Sequence, residues 1–274
     1  MAAENVWMTG DTGPAMKISI VTLSFNQRRY LKEAIESVLQ QRYPELEYIV
    51  VDPGSRDGSR ELIESYGDQI AARIFEPDGG AADGLNKGFA QATGDVFAFL
   101  NADDLLLPGA LQQVAQQFIE WPDIDVVIGN GYVVDGEGRK MKHVQARQFT
   151  VRRYFYGGCR WLQQATFFRR SAFALTRGFN VENKTCWDGE LFVSMVAAGA
   201  RVGYVNSDLG SFRIHGTSIS GSGQNMIQYR NDSRRIFRNI IGREWGAWDE
   251  VLRTYFRAEI FLRDRLVSGQ AGAR

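Results

Sequence analysis

The sequence predicts an α/β fold: a mostly parallel central sheet flanked by helices, with a C-terminal helical extension. Three observations carry that expectation. From Lys17 to Glu120, short β-branched runs alternate with stretches of helical apolar spacing, the pattern of right-handed parallel βαβ units. Two of these runs close on polar, Asp-bearing turns at Asp52 and Asp103, and ligands of open α/β sheets sit outside the carboxyl ends of the strands. Beyond Gln224 the apolar residues space out as amphipathic helix.

The elements follow in order. Lys17 to Leu23 (KISIVTL) reads as a buried strand closed by Ser24, Phe25 and Asn26. Leu31, Ala34, Ile35, Val38 and Leu39 share a helical face between Tyr30 and Gln40, and Pro44 marks its end. Leu46 to Val51 is a second strand, broken by the turn-rich run from Asp52 to Ser59. A helix through Leu62 and Ile63 leads to a third strand, Ala71 to Glu76. Asp83 to Ala92 is helical, and Asp95 to Leu100 (DVFAFL) is a fully buried strand ending in Asn101-Ala102-Asp103-Asp104. After a helix from Leu111 to Glu120 the pattern turns antiparallel. Val126 to Ile128 and Gly131 to Val134 flank a Gly-Asn-Gly turn, a hairpin loop at 135–138 precedes Lys140 to Val144, and Gln164 to Arg169 is a further strand. Leu191 to Ala198 is helical, Val202 to Val205 and Leu209 to Ile214 are closing strands, and Gln224 to about Leu266 is long amphipathic helix.

Composition narrows the class. At 274 residues, 44% hydrophobic and 23% charged, the chain can bury a sizeable core. Lys plus Arg balance Asp plus Glu at 32 each, so no net field points to nucleic acid. The two cysteines, Cys159 and Cys186, are too few for a disulfide framework and lack metal-type spacing. A reduced cytoplasmic setting is expected, and neither thiol nor His143 is given a role. No apolar run reaches the ~20 residues needed to span a bilayer. Residues 1–15 have neither the basic start nor the apolar core of a signal peptide and read as a disordered leader.

Several separate segments, in order and at matching spacing, resemble the inverting GT-A glycosyltransferases of family 2, whose central sheet is Rossmann-like. Thr22-Leu23-Ser24-Phe25-Asn26 through Gln41 is similar to the family opening. Glu47 to Asp52 with Gly54-Ser55-Arg56-Asp57-Gly58 is similar to its second strand and nucleotide turn. Glu76 to Gly80, Asp83, Asn86-Lys87-Gly88 and Ala92 to Asp95 resemble the stretch before its metal motif. Leu100 to Asp104 resembles that motif, Trp187 to Leu191 the segment bearing the base, and Phe212-Arg213-Ile214-His215 the closing strand. Pro53 and Asn101 depart from the family pattern, Asn101 removing one formal charge from the Asp-x-Asp site.

The resemblance, which covers about 16–220, implies a division into 16–121, a nucleotide-sugar-binding half, and 122–222, an acceptor-binding and catalytic half; the apolar pattern adds 223–274, C-terminal amphipathic helices. It implies a metal-dependent inverting transferase taking a nucleotide-diphosphate sugar, UDP-sugar favoured, to a glycan or lipid-linked acceptor in cell-surface polysaccharide synthesis. The cofactor is Mn²⁺ or Mg²⁺, since hard cations take oxygen ligands and neutralise a departing diphosphate. Asp103 is the expected direct ligand, with His215 completing the shell or serving as a structural residue. Asn101, Ala102 and Asp104 are placed around the metal and sugar. Asp52 is expected to accept a hydrogen bond from the nucleoside, with Thr22 and Asp83 as secondary contacts or loop caps. Lys87 and Arg56 meet phosphates or lie on a solvated face.

Asp188 is the candidate base, with Glu190 as fallback. The competing reading makes Thr185-Cys186-Trp187-Asp188 a capping box, in which the helix terminus lowers the Asp pKa. Gln164 and Trp161 are acceptor contacts, or Trp161 is core. The helix carrying Arg230, Arg234, Arg235 and Arg238 rests on the inner face of a membrane as a peripheral contact, packs on the catalytic domain, or forms a homodimer. The alternative function is a catalytically silent nucleotide-sugar-binding subunit. A nucleotidyltransferase would need a Gly-rich loop that Thr22 to Tyr30 does not supply.

Overall fold

The computed structural model describes residues 16–216 and 226–271, with side chains as far as 263. The leader expected at 1–15 and the boundary placed at 222 fall outside these. The first half builds β1 (Ile18–Leu23), α1 (Arg28–Leu39), β2 (Leu46–Val51), α2 (Ser59–Ser65), β3 (Ala72–Ile74), α3 (Ala81–Gln91) and β4 (Val96–Asn101). Its strands pair in parallel in the order β3-β2-β1-β4. β5 (Leu105–Leu106), α4 (Ala110–Glu120), β6 (Val126–Val134) and β7 (Lys140–Val144) follow. Next come α5 (Val151–Phe155), β8 (Thr166–Arg169), α6 (Arg170–Ala174), α7 (Trp187–Ala197) and β9 (Val202–Arg213). The chain ends in α8 (Met226–Ile241) and α9 (Ala247–Ala271).

One sheet joins both halves, continuing β4-β8-β6-β9-β5 with β7 on β6. β8 is antiparallel to β4 and to β6, whereas β6 and β9 are parallel. Strand alternation sorts the core into two layers. Val96, Ala98 and Leu100 face the layer holding Ile35, Tyr48 and Phe118. Phe97 and Phe99 face an aromatic layer with Phe89, Phe168, Phe179 and Phe192. The second layer runs up to the ligand end of the sheet, where Phe99 stands edge-on to Phe179, ring centres 5.2 Å apart.

Three expectations change. The Gly-Asn-Gly run is not a turn: β6 is continuous, with register shifts against β9 at Asn130. A Cβ at Gly131 would strike the Gly210 carbonyl and one at Gly129 the Leu209 side chain, so these glycines permit close strand approach. β9 is likewise one strand rather than two. The long C-terminal helix is two helices, broken at Gly242, whose φ of +79 is open to glycine. Arg243 grips Asp249 through two bonds of 2.6 and 2.8 Å, and Tyr156 donates to the same carboxylate at 2.7 Å.

α8 and α9 pack on the body. Phe237 is fully buried with its ring edge-on to Phe155, and Arg153 pairs with Glu259 at 3.0 Å. The outer face of α9 leaves Trp248 and Tyr255 exposed. No helix among the described residues is long and apolar enough to cross a membrane.

Candidate active site

A cavity of about 870 Å³ opens beside the ends of β1 and β4. One wall carries Leu23, Pro53, Asp78, Gly80, Asn101 and Asp103; the other carries Gln163, Gln164, Trp187 and Asp188. Of the residues singled out in the sequence, Asn101, Ala102, Asp103, Trp161, Gln164 and Asp188 line it.

Asp103 and His215 come together although 112 positions apart, Oδ2 to Nε2 2.9 Å. Both side chains are nearly buried, and the Tyr30 ring lies against the imidazole at 4.7 Å. The fully buried Arg213 ties this corner to the sheet. Its Nε donates to the Asp103 carbonyl at 2.9 Å, Nη1 to the Gly136 carbonyl at 3.1 Å and Nη2 to Glu33 Oε2 at 2.6 Å. Its guanidinium also lies over the Tyr30 ring, 4.8 Å from the centre. The sequence reading gave Arg213 no role; a cation two residues before His215 was the available signal.

Asp104 points inward, away from the cavity. Its Oδ1 accepts from the Arg213 N–H at 2.8 Å, and its Oδ2 accepts from Gln164 Nε2 at 2.6 Å and Asn101 Nδ2 at 3.1 Å. Burial, then the Asp103 charge, push its carboxyl above the usual range against those three donors. Asn101 is therefore more than a missing charge: its amide donates where an Asp would set one carboxylate against another. Gln164, expected at the acceptor, spends its amide on Asp104.

The other donor-side residues hold turns. Asp52 is fully buried; Oδ1 accepts from Gly54 N–H at 3.1 Å and Ser55 N–H at 2.8 Å, with Arg60 Nε at 3.5 Å. Its Oδ2 is buried without a hydrogen-bond partner. Asp83 accepts from the Gly79 N–H at 2.9 Å, as a loop cap does. Lys87 donates to the Pro77 carbonyl and pairs with Asp83 at 3.5 Å. Thr22 lies inside the sheet layer, where its hydroxyl accepts from Tyr48 at 2.9 Å. None of Thr22, Asp52, Asp83 and Lys87 lines the cavity.

The capping box is absent. Cys186 caps α7 without a side-chain bond, and the Thr185 hydroxyl donates instead to Asp232 at 2.8 Å. Asp188 accepts from the Gly189 N–H at 2.7 Å. Burial pushes its carboxyl up, against the lowering by the backbone N–H groups of Gly189 and Asp188 itself. Glu190, the fallback base, is already held by Asn180 at 2.9 Å, Asn183 at 2.7 Å and Arg235 at 3.0 Å. Trp161 stands edge-on between Phe149 and Phe192, ring centres 5.4 and 4.9 Å away.

No three His, Cys, Asp or Glu side chains among the described residues form a metal cage. The Asp103–His215 pair offers one carboxylate oxygen and one imidazole nitrogen side by side. That fits a divalent ion whose remaining ligands come from a phosphate-bearing substrate and water.

Comparison with known proteins places the chain. Residues 19–182 match the model of Glycosyl transferase family 2. An uncharacterized glycosyltransferase of Nostoc sp., alr2836, is 39% identical over 45% of this chain and 39% of its own length. The glycosyltransferase GlyG of Streptococcus pneumoniae is 29% identical over 84% of the chain and 75% of its own. The putative teichuronic acid biosynthesis glycosyltransferase TuaG of Bacillus subtilis is 40% identical over 32% of this chain and 36% of its own. The chain thus spans well under half the length of two of these three relatives. Among solved structures, S. aureus TarS residues 1–349 in complex with UDP-GlcNAc superimposes with a TM-score of 0.68 at 19% identity, over 90% of this chain and 72% of that one. The mannosyltransferase PcManGT of Pyrobaculum calidifontis, with GDP-Man and Mn²⁺, gives 0.61 at 16% identity, over 96% and 83%. The fold is that of GT-A glycosyltransferases, and the chain belongs to glycosyl transferase family 2.

Proposed function

We propose that this protein is a metal-dependent inverting glycosyltransferase that moves a sugar from a nucleoside-diphosphate donor to an acceptor hydroxyl. The observation that carries this reading is a single cavity lined by both Asp103, in contact with His215, and Asp188, whose carboxyl burial holds above its usual range. Asp103 and His215 would hold Mn²⁺ or Mg²⁺, which supplies positive charge against the departing diphosphate. Asp188 takes the proton of the acceptor hydroxyl while that oxygen bonds to the anomeric carbon. The bond from that carbon to the phosphate oxygen breaks on the opposite face, its electron pair leaving with the diphosphate, and configuration inverts.

Asp52 takes the nucleoside: its unpartnered buried Oδ2 matches a base that offers one N–H, as uracil and thymine do. Between the two, TarS, a structural neighbour holding UDP-GlcNAc, supports uracil. TuaG, with its teichuronic acid name, supports a cell-surface polysaccharide or lipid-linked acceptor. The silent-subunit alternative leaves the raised Asp188 carboxyl in the cavity without a task.

The test is turnover of UDP-, GDP- and dTDP-sugars with Mn²⁺, Mg²⁺ or EDTA, with glycan and lipid-linked acceptors, for wild type and Asp103→Ala. One donor turning over with metal, and at least about a hundredfold less in Asp103→Ala, is expected. Donor binding without turnover on any acceptor would favour the silent subunit. Binding of no donor would overturn both.

A further inference from the structure

The cavity has an electrostatic imbalance. Its wall carries three carboxylates, Asp78, Asp103 and Asp188, and among the described residues no Lys, Arg or His. A nucleoside diphosphate brings several negative charges of its own, and one divalent ion does not offset them all. The cations suggested by the sequence lie elsewhere. Lys87 is turned to the Pro77 carbonyl and Asp83, and Arg56 is not on the wall.

Lys184 is placed differently. It precedes Thr185, a wall residue, and reaches across the cavity mouth so that its Nζ donates to the Gly79 carbonyl at 3.1 Å. A Cβ at Gly80, another wall residue, would lie 3.8 Å from that nitrogen. The backbone behind it is fixed to α8, Asp232 accepting from the Lys184 N–H at 3.3 Å and from the Thr185 hydroxyl at 2.8 Å. Gly79 uses one of three ammonium protons. Lys184 makes no ion pair with a described carboxylate, although Asp83 feels its charge. A strongly hydrated point charge on a flexible stem, tied by one neutral acceptor, is free to turn toward a phosphate.

We propose that Lys184 is a diphosphate contact: a strap from the base-bearing side of the cavity to the donor side, whose ammonium meets the leaving phosphates of the bound nucleotide. This rests on the glycosyltransferase reading. As the sugar–oxygen bond breaks, the electron pair moves onto the diphosphate, and Lys184 stabilises the charge that develops there. Because Lys184 lies four residues before Asp188, donor binding also holds the segment that carries the base.

The experiment is calorimetric titration of the full chain with UDP against uridine, and GDP against guanosine, in Mn²⁺, for wild type, Lys184→Met and Lys184→Arg. Lys184→Met is expected to weaken the diphosphate about tenfold while leaving the nucleoside unchanged, and Lys184→Arg to recover most of the loss. An equal fall for nucleotide and nucleoside would make Lys184 a loop latch and overturn the proposal, as would no change in either. If wild type binds no nucleoside diphosphate, the functional reading fails, and this one with it.

Discussion

Behind the wall built from the ends of β2 and β4 and the start of α3, three carboxylates off the cavity lining spend oxygens on the fold. Asp52 holds the 54–55 turn, Asp83 holds Gly79, and Asp104 takes three donors. On the wall built from α7, Asp188 accepts from its own neighbour's N–H, and burial pushes its proton affinity up. Its helix mate Glu190, two residues on, is held by three donors on the side chains of Asn180, Asn183 and Arg235. The two sides differ in what their oxygens do: one set of carboxylates is tied into the fold by several donors, whereas Asp188 faces the cavity with a single backbone donor. A base needs an oxygen open to the substrate as well as a raised proton affinity; Asp104 has the second through burial and the Asp103 charge but not the first.

The comparison breaks most visibly at Asp188. Asp188→Asn keeps the shape and removes the proton acceptor, so turnover is expected to fall about a thousandfold, with UDP affinity by calorimetry little changed. Retained turnover would move the base elsewhere. On the opposite wall, Asn101→Asp replaces a donor to the buried Asp104 with a second anion. It is expected to cost about 2 kcal/mol of stability at neutral pH, read as a lower denaturant midpoint; a more stable or more active variant would mean that the lost charge of the Asp-x-Asp pattern matters more than the bond. The smallest effect is in the pH profile. Since the folded Asp188 holds its proton to a higher pH than an ordinary carboxyl, its active anion is lost early on acidification. The acidic limb of kcat/KM is expected above about 4, falling tenfold per pH unit. A limb at or below 4 would remove Asp188 from the base role.

Much of the donor half was legible because its signals are local. β2 ends where the LEYIVV run ends, and β4 follows DVFAFL displaced by one residue, Val96–Asn101. The 126–134 and 202–213 segments depart from their local signals for one reason. Glycine and polar runs signal turns locally, and only the pairing of β6 with β9 turns them into bulges. The capping-box pattern failed likewise, because Thr185 finds Asp232 on α8. Thr22, expected as a secondary nucleoside contact or a loop cap, sits by strand alternation in the layer where its hydroxyl accepts from Tyr48.

The sequence by itself determined the alternation of strands and helices, the Asp-bearing turns at strand ends, and the order of motifs that marks the family. The tertiary structure decided which of those carboxylates is satisfied. Two of the three partners of Asp104 come from 60 and 109 positions away, and His215 reaches Asp103 across 112. Hydrogen bonds and burial are set by proximity in space, and no local pattern of residues encodes a donor supplied by a strand from the far side of the sheet.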